Sequence, residues 1–232
     1  KDSSSIKVFI NVTSDKCYES KGDPRAFKED DAMGGIDPYS TSKACSELIT
    51  SSYRSFNSNV AIATARAGNV IGGGDWACNR IIPDFIKKIN QKQKLSIRNP
   101  TAIRPWQFVL EPLSGYLVLA ERLFLKGTDF AEAWNFGPDS QDDKSVEWLI
   151  SEFDNEYAGG NNFQIELNND LPYEANYLKL DCSKSKKRLG WTPKLELKNS
   201  ISMTSAWYKN FYKGNQDMYS FTVEQIKQFE SI

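Results

Sequence analysis

The order of apolar and polar segments predicts an α/β fold with a parallel sheet. Apolar runs of strand length alternate with longer segments of helical periodicity, and no repeat of roughly 20 to 50 residues is found. Polar or glycine-bearing stretches follow two of these runs, where open α/β sheets place their ligand crevice. We therefore expect a binding site at the carboxyl ends of the strands, with more irregular, mixed structure after about residue 70.

The composition is that of a folded protein with a nearly neutral charge. Hydrophobic residues make up 40% of the chain, charged residues make up 25%, and the net charge is -1. This balance provides no basic field for nucleic acid or for an anionic membrane. No apolar run approaches about 18 residues and no signal peptide is recognised. A cytoplasmic location is expected, with neither nucleic acid nor membrane as a partner.

The sequence contains no histidine. This excludes His-assisted nucleophilic catalysis and disfavours an ordinary zinc site, so no metal is expected. The four cysteines are far apart, show no C-x-x-C spacing and are expected to be reduced. Proton transfer must therefore use carboxylate, lysine, tyrosine or hydroxyl groups.

The first strand is predicted from the apolar run at residues 6–12 and is expected to be buried. It leads into Ser14, Asp15 and Lys16, which offer a hydroxyl, a carboxylate and an amine at the carboxyl end of a strand. Because the backbone turns at a strand end, all three side chains can face one cleft. The alternative is an ordinary polar exit from a strand into a loop.

The first long helix is predicted to begin at Asp37-Pro38 and to extend to about Phe56. Asp37 suits the cap and Pro38 suits the first turn. Tyr39 and Lys43 lie one turn apart on this helix, and an ammonium beside a phenol makes a base usable near neutral pH. Chance alone supplies about one pair at this spacing in such a chain. The alternative is therefore an exposed tyrosine and a solvated lysine.

The remaining segments continue the alternation. Residues 60–66 form a second strand, small and apolar enough to be central in a parallel sheet. A helix at residues 111–125 presents an apolar stripe of Leu113, Leu117, Ala120 and Phe124. The other predicted strands are residues 95–97, 107–110, 134–136 and 163–167, and the other predicted helices are residues 81–90, 145–158, 181–189, 197–212 and the tail from 222.

A glycine-rich loop at residues 67–76 follows the second strand. Its three consecutive glycines fit neither the G-x-G-x-x-G pattern nor the P-loop, so we interpret it as a turn near a ligand. Arg80, Arg98 and Arg104 flank this loop and the next, and arginine is the usual bidentate partner of a diphosphate. The alternative is three surface arginines.

These motifs, in this order, resemble the nucleotide-sugar enzymes of the extended short-chain dehydrogenase/reductase superfamily, in the dehydratase branch that acts on CDP-glucose. The resemblance covers most of the chain. The pair Asp15-Lys16 is telling, because dehydratases for other nucleotides usually carry Asp-Glu there. The segments that carry the resemblance are residues 12–18, 37–45, 63–76, 80–84, 97–100, 103–107, 110–116 and 178–181.

The resemblance implies the C-terminal part of a Rossmann-type parallel sheet with a smaller α/β substrate-binding lobe. Residues 1–70 would be the remainder of the dinucleotide-binding domain with its catalytic motifs. Residues 71–232 would mainly form the nucleotide-sugar-binding lobe, with a return strand and helices to the Rossmann core. The chain opens on Lys1 and lacks the family's glycine-rich first half, so we expect a fragment with a long unpaired sheet edge.

The resemblance also implies the dehydration of CDP-D-glucose to CDP-4-keto-6-deoxy-D-glucose with tightly bound NAD, for deoxysugar and O-antigen-type polysaccharide synthesis. Tyr39 would take the proton of the sugar 4-hydroxyl while hydride leaves C4 for NAD+. Lys43 would hold the nicotinamide ribose and favour the phenolate by its charge. Ser14 would hydrogen-bond the 4-oxygen, and Asp15 would protonate the departing 6-hydroxyl. Lys16 stands where related enzymes have the glutamate that removes the C5 proton, and lysine can do this only when neutral.

Further binding positions follow from the same resemblance. The positions implied for the nucleotide diphosphate are Asn69, Arg80 and Arg104, the position near the base is Arg98, and the position beside the nicotinamide is Ala67. The helix that starts at Tyr39 would form the interface of a homodimer.

Two other functions remain open from the sequence. One is another nucleotide-sugar epimerase or dehydratase, against which Lys16 and residues 97–107 argue. The other is a non-catalytic substrate-binding or dimerisation module. Equilibrium binding distinguishes them, because CDP binding without NAD+ favours the module, whereas binding of both contradicts the interpretation as a fragment.

Overall fold

Strands and helices alternate along the chain in the computed structural model, which describes residues 5–20, 22, 24–56, 59–166, 177–214 and 217–232. The strands are β1 (Val8–Val12), β2 (Ala61–Ala67), β3 (Val70–Ile71), β4 (Leu95–Ile97), β5 (Ile103–Pro105), β6 (Gln107–Phe108), β7 (Ala133–Phe136), β8 (Asp143–Ser145) and β9 (Phe163–Ile165). The α-helices are α1 (Pro38–Phe56), α2 (Ile81–Asn90), α3 (Leu110–Lys126), α4 (Val146–Ala158), α5 (Leu197–Lys213) and α6 (Met218–Glu230).

The chain divides into two units. The first unit comprises Lys1–Gly68, Glu111–Asp139 and Tyr177–Pro193. The second unit comprises Asn69–Leu110, Ser140–Asn176 and Lys194–Ile232. The chain therefore leaves the first unit near the predicted boundary at residue 70 and returns to it twice.

The first unit is built on a parallel sheet with the strand order β1-β2-β7. In this sheet Val8 of β1 pairs with Ala61, and Thr64 of β2 pairs with Ala133. Residues 61–66 of β2 are all buried, as predicted for a small, apolar central strand. The predicted α/β fold with a parallel sheet is confirmed.

The first strand is correctly located, but the prediction that it is buried is wrong. Phe9 and Val12 of β1 are 52% and 49% exposed. The physical reason is position in the sheet, because within the described residues β1 has β2 as its only strand neighbour. An apolar run predicts a strand that suits burial on both faces, but it does not say what covers those faces.

The connection between β1 and β2 includes α1, whose buried face carries small residues and one glutamate. Its buried residues are Ser40, Ala44, Glu47 and Thr50, which recur at helical spacing. Larger apolar residues lie on the exposed surface, with Leu48, Ile49 and Tyr53 at 56%, 58% and 63% exposure. This helix therefore presents an apolar outer face, which is the reverse of an ordinary surface helix.

The apolar stripe predicted on α3 is also on the exposed side. Leu117 and Phe124 are 73% and 67% exposed, whereas Leu119 and Leu123 are buried. The helix meets β7 at Gly115, where a Cβ atom would lie 2.3 Å from Cδ1 of Phe136. Gly115 has no side chain and leaves room for the Phe136 ring, so the face of α3 that contains Gly115 packs on the sheet.

In its described residues the second unit combines three short strand pairings with the helices α2, α4, α5 and α6. β3 pairs with β6 and β4 pairs with β9 in parallel, whereas β5 and β8 are antiparallel. This mixture agrees with the irregular structure predicted after residue 70. Its main core includes Phe85, Phe153 and Tyr208, and the rings of Phe85 and Phe153 meet edge to face at 5.6 Å.

Two predicted boundaries are corrected. The predicted strand at 107–110 ends at Phe108, and α3 already begins at Leu110. The predicted helix at 181–189 begins only at residue 183 and continues as a π-helical turn at Ser185–Leu189, closed by Gly190 as expected. Asp181 stays extended because its backbone N–H bonds Phe27 O at 2.8 Å. Residue 167, the predicted end of the strand from 163, lies outside the described residues.

All four cysteines are free, and Cys17 and Cys182 are buried. Burial raises the pKa of both thiols to about 12, so they stay protonated near neutral pH. In the part of the chain that the structure describes, none of the helices has the length and apolar character needed to cross a membrane.

Candidate active site

The turn after β1 carries three predicted site residues. Ser14 caps the short 3-10 helix Asp15–Cys17: its Oγ accepts a hydrogen bond from Lys16 N at 3.2 Å and donates one to Asp15 Oδ1 at 3.0 Å. Ser14 and Asp15 are buried, and Lys16 is half-buried. The cap therefore fixes a hydroxyl beside a carboxylate in a defined turn at the carboxyl end of β1.

Two lysine amino groups approach the ring of Tyr39. Lys43 Nζ lies 5.6 Å from the ring centre, and Lys16 Nζ lies 5.9 Å from it. These distances are in the range of cation–π contacts. Tyr39 is 51% exposed, so its ring is open to a ligand. The structure thus brings the predicted pair on α1 together with the predicted lysine of the turn.

The start of α1 is fixed by the predicted cap. Ser40 donates to Asp37 through its backbone N at 3.0 Å and through Oγ at 2.5 Å. These hydrogen bonds lower the pKa of Asp37. The preceding loop lies against the helix at Gly35, where a Cβ atom would be 2.2 Å from Ser40 Cβ. Both features determine where the first turn of α1, with Tyr39, begins.

A buried ion pair, Glu47 with Arg66, adjoins these residues. Arg66 Nε and Nη2 donate to the two Glu47 carboxylate oxygens at 2.9 and 2.8 Å, and both side chains are 2% exposed. Burial alone raises the pKa of Glu47, but the hydrogen bonds and charge of Arg66 outweigh it and lower that pKa. Burial alone lowers the pKa of Arg66, but the hydrogen bonds that Arg66 donates to Glu47 and nearby charges raise it.

This pair was not predicted from the sequence. The signal was available, because Glu47 follows Lys43 by one helical turn and shares a face with Ser40 and Ala44, both small. A charged residue on a face of small residues indicates a buried partner, since unpaired buried charges are avoided. Arg66 inside an otherwise apolar strand gave the complementary signal.

The remaining predicted residue of the first unit is Ala67. It is the last residue of β2, pairs with Phe136 of β7 and is partly exposed. A small side chain at the carboxyl end of a central strand leaves space above the sheet edge.

The four predicted nucleotide-binding residues belong to the second unit. Arg104 lies in β5, is 2% exposed and donates from Nη1 to Ile103 O at 2.9 Å. Asn69 precedes β3, and its carbonyl accepts a hydrogen bond from Gln107 N at 3.0 Å. A surface arginine is therefore the wrong interpretation for Arg104.

Arg80 and Arg98 are exposed. Arg80 precedes α2, and its Nη1 pairs with Asp75 Oδ2 at 3.0 Å. Arg98 follows β4. Their exposure is compatible with binding an anion such as a diphosphate. It is equally compatible with the alternative of ordinary surface arginines.

The glycine run between β3 and α2 has a packing cause. A Cβ atom at Gly73 would lie 2.0 Å from Cγ of Trp207, and one at Gly72 would lie 2.7 Å from Val109 Cγ1. Gly74 has a φ of 78°, which favours glycine. The loop was predicted to be a turn near a ligand, and these contacts account for its glycines without one.

The grouping in the first unit is suited to proton transfer at a bound hydroxyl. It supplies a phenol, two amines, a carboxyl group and a hydroxyl without histidine. The ammonium of Lys43, close to the phenol, is placed to stabilise negative charge that develops on its oxygen. Such a set suits a reaction in which protons leave and return at several positions of one substrate.

Comparison with known proteins identifies a matching family and several relatives. A family described as GDP-mannose 4,6 dehydratase matches residues 2–204. A CDP-glucose 4,6-dehydratase of Salmonella typhimurium is 44% identical over 97% of this chain, and the chain spans 65% of that relative's length.

Two solved structures share the fold. One is UDP-glucuronic acid 4-epimerase from Bacillus cereus in complex with UDP-glucuronic acid and NAD, with a TM-score of 0.76, 21% identity, and coverage of 90% of this chain and 64% of that one. The other is dTDP-glucose 4,6-dehydratase from Bacillus anthracis in complex with NAD, with a TM-score of 0.72, 19% identity, and coverage of 87% and 61%. Since the family match includes the turn after β1, α1 and all of β2, this chain belongs to the GDP-mannose 4,6 dehydratase family.

Proposed function

We propose that this chain carries the catalytic and nucleotide-sugar-binding residues of an enzyme that dehydrates CDP-D-glucose to CDP-4-keto-6-deoxy-D-glucose. The observation that carries the proposal is the approach of Lys16 and Lys43 to the ring of Tyr39. The identity with the Salmonella typhimurium CDP-glucose 4,6-dehydratase supports the choice of substrate. The Asp15-Lys16 pair supports the same choice of substrate, because it resembles the branch that acts on CDP-glucose and dehydratases for other nucleotides usually carry Asp-Glu there.

The cofactor in this proposal is NAD, and the residues of the first unit fit its nicotinamide end. The exposed phenol of Tyr39 and the half-buried amine of Lys43 are hydrogen-bonding groups for ribose hydroxyls. Ala67 leaves room for a planar ring at the end of β2. Bound NAD+ would supply a reversible acceptor for the hydride of the sugar.

Removal of the proton from the sugar 4-hydroxyl is assigned to Tyr39. Its phenolic oxygen takes the proton of the sugar 4-hydroxyl, and the adjacent ammonium of Lys43 stabilises the phenolate. Ser14 Oγ donates a hydrogen bond to the 4-oxygen as this becomes a carbonyl. The 4-keto group then acidifies the hydrogen on C5.

Loss of water is assigned to the turn after β1. Lys16, in its neutral form, takes the C5 proton, and Asp15, in its protonated form, gives a proton to the departing 6-hydroxyl. One water molecule leaves across C5 and C6. The hydride equivalent removed at C4 would return at C6, and the Lys16 ammonium would give its proton back to C5, so the reaction is redox-neutral overall and the product is a 4-keto-6-deoxy sugar.

The two units have different roles in this proposal. The first unit is the remainder of the dinucleotide-binding domain with the catalytic residues. The second unit holds the nucleotide sugar, with Asn69, Arg80 and Arg104 on the diphosphate and Arg98 near the base. The role of Arg104 rests on the resemblance of residues 103–107 to the family.

The proposed assembly is a homodimer that packs α1 against the same helix of a second copy. The exposed apolar side chains of α1, among them Leu48, Ile49 and Tyr53, support it. A contiguous apolar helix face is typical of protein–protein contacts. A twofold-symmetric pairing uses this one face twice.

A substrate panel tests the proposed function. The full-length gene product is incubated with CDP-, dTDP-, UDP- and GDP-glucose, and the 4-keto product is measured by mass spectrometry. We expect kcat/KM for CDP-glucose to exceed the others by about 10²-fold or more. CDP binding without any turnover supports the non-catalytic module instead, and a faster reaction with another nucleotide contradicts the CDP assignment.

A further inference from the structure

The Glu47–Arg66 ion pair joins three elements of the first unit. Glu47 belongs to α1 and follows Lys43 by one helical turn. Arg66 belongs to β2 and precedes Ala67. Each side chain also bonds a residue next to the turn after β1, so the pair connects all the segments that carry the proposed catalytic residues.

The pair holds the turn at both ends. Before the turn, Thr13 Oγ1 donates to Glu47 Oε1, and Thr13 N donates to Ala65 O at 2.8 Å. After the turn, Arg66 Nη1 donates to the Tyr18 hydroxyl at 2.8 Å. Ser14, Asp15 and Lys16 therefore lie between two anchors that meet in a single ion pair.

The anchor at Tyr18 is held on its other side as well. The Tyr18 hydroxyl donates to Asn135 Oδ1 at 2.6 Å, and Asn135 Nδ2 donates to Phe27 O at 2.9 Å. The rings of Tyr18 and Phe27 are stacked, with centroids 4.9 Å apart and an interplanar angle of 4°. Every polar group of this network is buried and has a partner, which rigidifies the region.

We propose that Glu47 and Arg66 are positioning residues, which hold the Ser14–Lys16 turn in register with Tyr39 and Lys43 on α1. This inference rests on the proposed function. Stability alone does not explain the pair, because well-packed apolar residues of similar volume often replace a buried ion pair without loss. Apolar residues cannot accept a hydrogen bond from Thr13 and donate one to Tyr18, so they would leave both ends of the turn unheld.

The test removes single hydrogen bonds and leaves the ion pair intact. Thr13→Val and Tyr18→Phe in the full-length gene product each delete one hydroxyl at one end of the turn. We expect kcat to fall about tenfold or more in each variant, with KM for CDP-glucose within about twofold of wild type. The matched control is Thr204→Val, which deletes a buried hydroxyl in the second unit and is expected to leave kcat unchanged.

A second variant separates positioning from folding. Glu47→Leu combined with Arg66→Met removes both charges together and is expected to fold, as followed by its urea unfolding midpoint. Its kcat is expected to fall about 10²-fold. A folded double variant with wild-type kcat overturns the positioning role.

Tyr39→Phe, measured in the same assay, separates failure of the positioning role from failure of the proposed function. Loss of product with Tyr39→Phe, together with wild-type kcat in Thr13→Val and Tyr18→Phe, overturns the positioning role alone. Wild-type product with Tyr39→Phe overturns the proposed function and this inference with it. Lowered kcat at unchanged KM in Thr13→Val and Tyr18→Phe, with Tyr39→Phe inactive, supports both.

Discussion

Lys16 Nζ lies 5.9 Å from the centre of the Tyr39 ring, although the two residues belong to different elements and are separated by a long loop. Lys43 approaches the same ring from within α1. The turn after β1 and the first turns of α1 therefore each place a lysine amino group near one phenol. In the proposed mechanism Tyr39 and Lys43 act at C4 and Lys16 acts at C5, so substitutions at these positions are expected to stop different steps.

Replacing Lys16 with methionine is expected to slow loss of water about 10²-fold or more while oxidation at C4 continues, because the base for C5 is lost but Tyr39 remains. The measurement is exchange of the C5 hydrogen in deuterated water, followed by NMR, beside the absorbance of the reduced cofactor. Lys126→Met, at the exposed end of α3, is the matched control. Unchanged C5 exchange in Lys16→Met rejects this residue as the base.

Replacing Tyr39 with phenylalanine is expected to lower product formation about 10³-fold or more, because no other phenol takes the 4-hydroxyl proton. The ring and its cation contacts remain, so calorimetry should show unchanged CDP binding. Tyr219→Phe, on the exposed surface of α6, makes the same chemical change away from the site and should have no effect. Persisting turnover in Tyr39→Phe would mean that another group is the base.

Element types in this chain were readable from sequence, but the faces of α1 and α3 were not. The Asp37-Pro38 start signals located α1, and hydrophobic periodicity located α3, both within a few residues. It also marked Leu117 and Phe124 as one stripe, and the structure leaves that stripe exposed. Periodicity shows that a face is apolar, but the face that meets the sheet is decided by local fit, here the space that Gly115 gives to Phe136.

The candidate site was partly predictable for a related reason. Ser14, Asp15, Lys16, Tyr39 and Lys43 belong to local motifs, and a motif can be recognised from adjacent residues. The Glu47–Arg66 pair joins residues from α1 and β2, and its partners Thr13 and Tyr18 lie in a third segment. Such a network depends on the packing of distant segments, so spacing in one segment does not reveal it.

Gly115→Ala is expected to destabilise the first unit by about 1–3 kcal/mol, because the new methyl group would overlap the ring of Phe136. The measurement is the free energy of unfolding in urea. Adding Phe136→Leu to Gly115→Ala should recover part of the loss, since the smaller side chain leaves room for the methyl group. Phe136→Leu alone is measured as well. If the loss of stability in the double variant equals the sum of the losses in Gly115→Ala and Phe136→Leu, the close contact is not the cause.

Ile49→Glu is expected to convert the proposed homodimer into monomers, because a charge on the apolar face of α1 would be buried without a partner. Sedimentation velocity of the full-length gene product measures the change in mass. Leu117→Glu is the matched control, since Leu117 is exposed and similar in size to Ile49 but lies on α3. A dimer that survives Ile49→Glu and dissociates with Leu117→Glu would assign the interface to α3.

Asp37→Ala is expected to cost about 1 kcal/mol of stability at pH 7, because α1 loses its cap. The Ser40 hydrogen bonds lower the folded-state pKa of Asp37 below its unfolded value of about 3.9. The carboxylate therefore stabilises the folded state fully above that unfolded value, and this contribution is lost as the pH falls through the folded-state pKa. Urea unfolding between about pH 3 and pH 7 should show the difference from wild type shrinking only at the acidic end. Asp37→Asn caps the helix without titrating, so its stability relative to Asp37→Ala should stay constant over the same range. A difference between wild type and Asp37→Ala that does not change with pH would show that the charge on Asp37 contributes nothing to the cap.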